Sequence, residues 1–351
     1  MGMRMKNTKI LAIGTALLLL CTGCGGAEKT DNTSLGMEAV RNLAYEEALQ
    51  HFEAALEQGE DERLLCRGMG LAYMGLSQYD SAIAYLEKAL RLGDGTARNI
   101  DYDINYYLAT AYFRNGQPQD AIGSYNAILA LRPKETEAYY LRGCVKLYSN
   151  DYEGAKADFD QAIALDAHNY DRVILIYEAL VDNGYRDAGT EYLQKVIADN
   201  EKTISNYDLG RIYYYLEDYE NAKNYLSQVK ISSDYEASLY LGRTYEALGD
   251  YDYASSIYND YTLNDQSKAE IYNQLGLCRM QMGEYELALM AFQAGMNIEG
   301  NEMMQTLKFN EIIAYEYMED YKTAAALMND YLKSYPDDEA AQRENQFLKT
   351  R

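Results

Sequence analysis

Tryptophan is absent from the 351 residues, histidine occurs twice and proline three times. His51 and His168 stand alone, with no neighbouring metal-ligand spacing, so no metal site is expected. Pro118 falls where a second helix would begin, and Pro133 and Pro336 fall just past helix ends, places where helices accept proline. Cysteine is scarce: Cys21 and Cys24 lie near the amino terminus, and Cys66, Cys144 and Cys278 are isolated. An odd set of three predicts free thiols rather than a disulfide framework. No phosphate loop, nucleophile elbow or HExxH occurs, so the chain reads as a non-enzyme without cofactor. Positive charge is also short: 32 Lys and Arg face 55 Asp and Glu, a net −23. Such a surface repels phosphate backbones, which excludes nucleic acid as a partner and favours cationic or neutral ones.

What the chain has is tyrosine, 37 against six phenylalanines, within a hydrophobic fraction of 48%. That fraction supports a large core, and tyrosine is its main large residue, with many hydroxyls to be hydrogen-bonded or exposed.

One stretch sets the pattern: Leu239 to Leu263, LYLGRTYEALGDYDYASSIYNDYTL. Leu241-Gly242 is followed by Tyr245; Gly249-Asp250 interrupts; Tyr251, Ala254 and Tyr258 follow at spacings of three and four. Two amphipathic helices of about twelve residues joined by a glycine turn account for this. Small Gly242 and Ala254 would let the helices approach where they cross. The same alanine recurs at Ala48, Ala82, Ala121, Ala155, Ala188, Ala222, Ala254, Ala288 and Ala324, at spacings of 34, 39, 34, 33, 34, 32, 34 and 36. The pattern resembles the tetratricopeptide repeat. The resemblance covers residues 35–338 and implies an all-α solenoid of about nine helix-turn-helix repeats, wound as a right-handed superhelix. Residues 339–351 read as a C-terminal capping helix, with Ala340, Ala341, Phe347 and Leu348 on one side.

The copies differ in quality. The first is weak, with Ala39 in its tyrosine place. The spacing of 39 implies an insertion near Asp94 to Asp101. Copy five departs most: Ile176 replaces the small residue of the first helix and Lys195 the late alanine. A looser crossing or a bend is expected there.

The amino terminus carries an address. Arg4, Lys6 and Lys9 precede the apolar run Ile10 to Leu20, then Cys21-Thr22-Gly23-Cys24-Gly25-Gly26. Eleven apolar residues suit a signal peptide; about 20 are needed to span a bilayer. Small residues before Cys24 look like a bacterial lipoprotein signal. That resemblance implies removal of residues 1–23, a fatty acyl (palmitate) anchor on Cys24, and residence at the exported side of the cell membrane. Residues 24–34 then read as a flexible tether.

In tetratricopeptide repeats the concave groove is lined by first-helix residues that the core does not use. Projecting those places gives Tyr106, Phe113 and Arg114 in copy three, Tyr140 and Tyr148 in copy four, and Tyr177 in copy five. Copy six gives Tyr207, Arg211, Tyr214 and Tyr215, and copy seven Arg243. Tyrosine and arginine are enriched at binding hot spots. The resemblance therefore implies a scaffold for a protein or peptide at the bacterial cell envelope. A glycan-binding surface lipoprotein is the alternative, since aromatic faces stack on sugars. Repeats that clamp a carboxyl terminus use lysine and asparagine at places held here by Tyr106 and Thr110, Tyr140 and Cys144, and Tyr207 and Arg211, so that subclass is not indicated.

Overall fold

The computed structural model describes residues 31–96, 98–200, 203–230 and 234–351. Cys24 and the leader lie outside them. The chain divides into two compact units, Met1–Arg186 and Asp187–Arg351. The first holds α1 (Asn32–Arg41), α2 (Tyr45–Glu57), α3 (Glu62–Gly75), α4 (Tyr79–Arg91), α5 (Asn99–Arg114), α6 (Pro118–Leu131), α7 (Thr136–Tyr148), α8 (Tyr152–Leu165) and α9 (Tyr170–Asp182). The second holds α10 (Arg186–Asn200, opening one residue before the division), α11 (Asn206–Tyr215), α12 (Tyr219–Leu226), α13 (Tyr235–Ala247), α14 (Tyr251–Thr262), α15 (Ala269–Gln281), α16 (Tyr285–Met296), α17 (Met304–Tyr317), α18 (Tyr321–Ser334) and α19 (Glu339–Leu348). The described residues are helices and connections only. Helix α1 starts at Asn32, capped by the Asp31 carboxylate, so the last residues assigned to the tether are helical.

Copies one to four and six to nine are each a helical hairpin, and the crossing follows one pattern. Ala48, Ala82, Ala121, Ala155, Ala222, Ala254, Ala288 and Ala324 are fully buried. Four residues beyond each lies a large side chain, and in six of these copies it fills the space that a glycine leaves on the first helix; copy three has Ala109 at that place. A Cβ on Gly36 would meet the Phe52 ring at 2.5 Å, one on Gly143 the Phe159 ring at 2.6 Å, and one on Gly242 the Tyr258 ring at 2.3 Å. Glycine therefore makes room for the ring more than for the alanine. Copy nine solves the same contact in reverse, with Ile312 in the glycine place and unbranched Met328 in the ring place, both buried.

The turn between the two helices has a left-handed residue, seven places after the small residue of the first helix (Ala109, Gly242 and Gly276): Gly116, Gly249 and Gly283, for example, at φ of +74°, +80° and +76°. This turn corrects the reading of copy five. Its left-handed residue is Gly184. Counting from it, the crossing residue is Gly189, not Ala188, and the late core place is Val196, not Lys195. Burial agrees: Gly189, Leu193 and Val196 are buried, Ala188 is half-buried and Lys195 exposed. Two adjacent small residues made the register ambiguous.

The insertion after copy two is the connection 92–98 between α4 and α5, together with an α5 of 16 residues. Pro118 opens α6 as N1. Cys66, Cys144 and Cys278 are free thiols, and burial pushes the Cys144 thiol up to about 12.

Candidate binding face of the first helices

Within each unit, successive first helices approach one another: α1 and α3, α3 and α5, and α7 and α9 in the first unit, α11 and α13, and α15 and α17 in the second. Among the described residues no pair of successive second helices comes as close. The first helices thus form the inner side of each unit, and polar contacts run across it from one copy to the next.

In the first unit Arg63 pairs with Asp101, Arg67 with Asp103, and Arg172 with Glu137. Arg172 also lies over the Tyr140 ring, 4.6 Å from its centroid. Tyr140 packs against Phe159 and is buried. Tyr106 meets the Tyr125 ring edge-on at 6.2 Å, and burial raises its hydroxyl, as do Glu135 and Glu137. Phe113 and Tyr148 form an edge-to-face pair at 4.9 Å, with Tyr148 exposed, and Arg114 is half-buried. Tyr177 is buried; by the Gly184 register it occupies the crossing place rather than the groove, so its assignment to the groove is corrected. The same register puts Ile174 and Glu178 in the groove places of copy five.

The second unit brings four of its five assigned residues together. Tyr207, Arg211 and Tyr214 or Tyr215 form one stripe of α11, at spacings of four, three and four. Facing it, Glu236, Tyr240 and Arg243 form one stripe of α13. The Tyr207 hydroxyl donates to Glu236 at 2.5 Å. The Tyr240 ring stands 6.4 Å from Tyr207, 5.5 Å from Tyr214 and 6.1 Å from Tyr215, and its hydroxyl shares a 3.2 Å hydrogen bond with that of Tyr215. The Arg211 guanidinium is buried over Tyr207 at 4.4 Å and donates to Asp208 at 2.7 Å. Arg243 is committed as well, to Glu270 at 2.5 Å, and Glu270 also accepts from the Tyr235 hydroxyl. Burial raises the hydroxyls of Tyr207 and Tyr214; the Glu236 bond adds to this at Tyr207, and Arg243 opposes it at Tyr214.

Arg63, Arg67, Arg172 and Arg243 bolt neighbouring first helices together, while Arg211 pairs within α11. Between α11 and α13 this side presents the half-buried Tyr207, Tyr214, Tyr215 and Tyr240 and the exposed Glu236. Sequence reasoning missed Tyr240, Tyr235 and the acids. One signal was available: Tyr240 follows Tyr207 by 33 residues, one period. The acids recur likewise at Asp103, Glu137, Asp171, Glu236 and Glu270. A shallow cleft of about 400 Å3 lies elsewhere, lined by residues of α4, α5 and α6 such as Glu87, Tyr112 and Asp120.

The chain is 30% identical over 111 residues to RNA polymerase II-associated protein 3 of Xenopus tropicalis, over 32% of this chain and 16% of that protein. It is 24% identical over 185 residues to BBSome complex member BBS4 of Bos taurus, over 52% of this chain and 36% of that one. It thus spans about a third or less of the length of these curated relatives. A solved tetratricopeptide repeat protein from Parabacteroides merdae superposes with a TM-score of 0.46 at 15% identity, over 72% of this chain and 98% of that one. Tetratricopeptide repeat profiles match residues 33–97, 67–136 and 207–267, and again 136–169 and 269–302. With these matches covering well over half of its length, the chain belongs to the tetratricopeptide repeat family.

Proposed function

We propose that the chain is a lipid-anchored scaffold that holds a protein or peptide on the inner, first-helix side of its repeats. The repeat fold is that of a protein-binding scaffold. The observation that carries the reading is the aromatic trough between α11 and α13, in which Tyr207, Tyr214, Tyr215 and Tyr240 are only half-buried. Rigid amphipathic rings give contact area at small entropic cost. The anchor rests on the leader and the small residues before Cys24. It would place the scaffold at the exported side of a bacterial membrane, facing envelope partners.

The test is a photo-crosslinking residue installed at Tyr214 in the full chain, in intact cells, with Met290 of α16 as the comparison. Met290 is exposed on a second helix. One discrete protein adduct from position 214 and none from 290 is expected. Adducts from 290 alone, or glycan adducts from 214, would overturn the reading. The anchor is checked separately: Cys24→Ala should abolish incorporation of a palmitate analogue, and equal labelling would refute it.

A further inference from the structure

We infer that the trough between α11 and α13 binds an arginine- or lysine-bearing segment of the partner, with Glu236 as its counter-ion. The inference rests on the scaffold reading above and specifies its ligand. Three observations carry it.

The first is an uncommitted carboxylate. Around this trough, Arg211 pairs with Asp208, Lys223 with Glu220 and Arg243 with Glu270. Glu236 accepts a hydrogen bond from the Tyr207 hydroxyl, which orients it, and pairs with no cation among the described residues. It is exposed. A carboxylate held by a neutral donor keeps its full charge for a partner.

The second is that the rings beside it already hold a guanidinium. Arg211 lies 4.4 Å from the Tyr207 centroid and 5.9 Å from that of Tyr240. Tyr240 is one turn from Glu236 on α13, so a second cation at Glu236 would lie along tyrosine faces as well. Cation–π contact and a carboxylate together favour arginine over lysine, because the planar guanidinium can use both at once.

The third is charge complementarity over the unit. Residues 187–351 carry 29 acidic against 14 basic side chains, which steers cationic segments toward this unit and disfavours acidic ones.

The test is fluorescence anisotropy with a labelled, end-blocked twelve-residue peptide of alternating arginine and glycine, titrated with the full chain at 0.15 M salt. Its lysine and glutamate counterparts are the other probes. Binding is expected in the order arginine, lysine, glutamate. Glu236→Gln and Tyr240→Leu should each weaken the arginine peptide at least tenfold. Asp260→Asn removes the same charge from an exposed place on α14 and should change it less than twofold. Circular dichroism confirms that each variant is folded; Glu236→Gln keeps an acceptor for Tyr207. Equal weakening by Glu236→Gln and Asp260→Asn would mean diffuse attraction and would overturn the inference. So would no binding of the arginine peptide at 1 mM. A non-basic partner cross-linked from Tyr214 would overturn it too, while leaving the scaffold standing.

Discussion

At the scale of the residue, two oddities of composition explain one another. Tyrosine hydroxyls buried or half-buried in a helical array need acceptors, and the acidic residues supply them. Tyr112 donates to Glu87 at 2.6 Å, Tyr258 to Glu246 at 2.5 Å, Tyr261 to Asp265 at 2.6 Å and Tyr331 to Asp338 at 2.6 Å. The Tyr261 bond is the main reason the Asp265 carboxyl falls to about 2. Burial raises the Glu246 carboxyl, and the Tyr258 bond works against that rise. The crossing contact gives a prediction at this scale. Gly143→Ile should drive a side chain into the buried Phe159 ring and cost about 1–3 kcal/mol. Adding Phe159→Met reproduces the Ile312–Met328 solution of copy nine and should recover most of the loss. Chemical denaturation of both variants measures it; a double variant no better than the single one would refute the glycine-to-ring account. The glycines were legible in the sequence. Their partner was not, because a ring four residues past the alanine reads as ordinary core.

At the scale of the element, helix ends and helix neighbours carry the charge. Asp61, Asp151, Asp218, Asp234, Asp250, Asp320 and Asp338 cap helices through their side chains, so part of the acidic excess is capping chemistry. One acid is different. Glu316 of α17 has a carboxylate oxygen buried without a hydrogen-bond partner, and burial first, then Glu344 of α19, raises its carboxyl from 4.5 to about 7. A raised acid holds its proton more tightly when folded. Its stabilising contribution is complete below about pH 4.5 and is lost as pH rises through about 7. Hydrogen exchange in α19 should therefore be slower at pH 5 than at pH 8, after correction for the intrinsic rate. Glu316→Gln should remove the difference; an unchanged pH dependence in that variant would contradict the assignment. Helix count was readable from the period, but the turns only in part: the left-handed place is glycine in four copies and Leu43, Ser77, Asn150, Glu217 or Glu319 in the others. The pairing of first helices was not, because the Arg67–Asp103 and Tyr207–Glu236 contacts join residues 36 and 29 apart, which become neighbours only once the repeats stack. Copy five slipped by one place because Ala188 and Gly189 are both small, and only the backbone at Gly184 chooses between them.

At the scale of the whole molecule, helical hairpins of one design are distributed over two units, and the strongest gathering of assigned groove residues falls in the second. Stability in such an array is built from neighbouring contacts, so a ligand bound across two copies protects those copies first. The central claim is that the partner lies on the first helices. Hydrogen exchange of the full chain with and without the cross-linked partner, once purified, tests it directly. The account predicts new protection concentrated in α11 and α13, centred on Tyr207 to Tyr215 and Glu236 to Arg243, with α14 and α16 unchanged on their exposed sides. Protection confined to the second helices α12, α14 and α16 would contradict it.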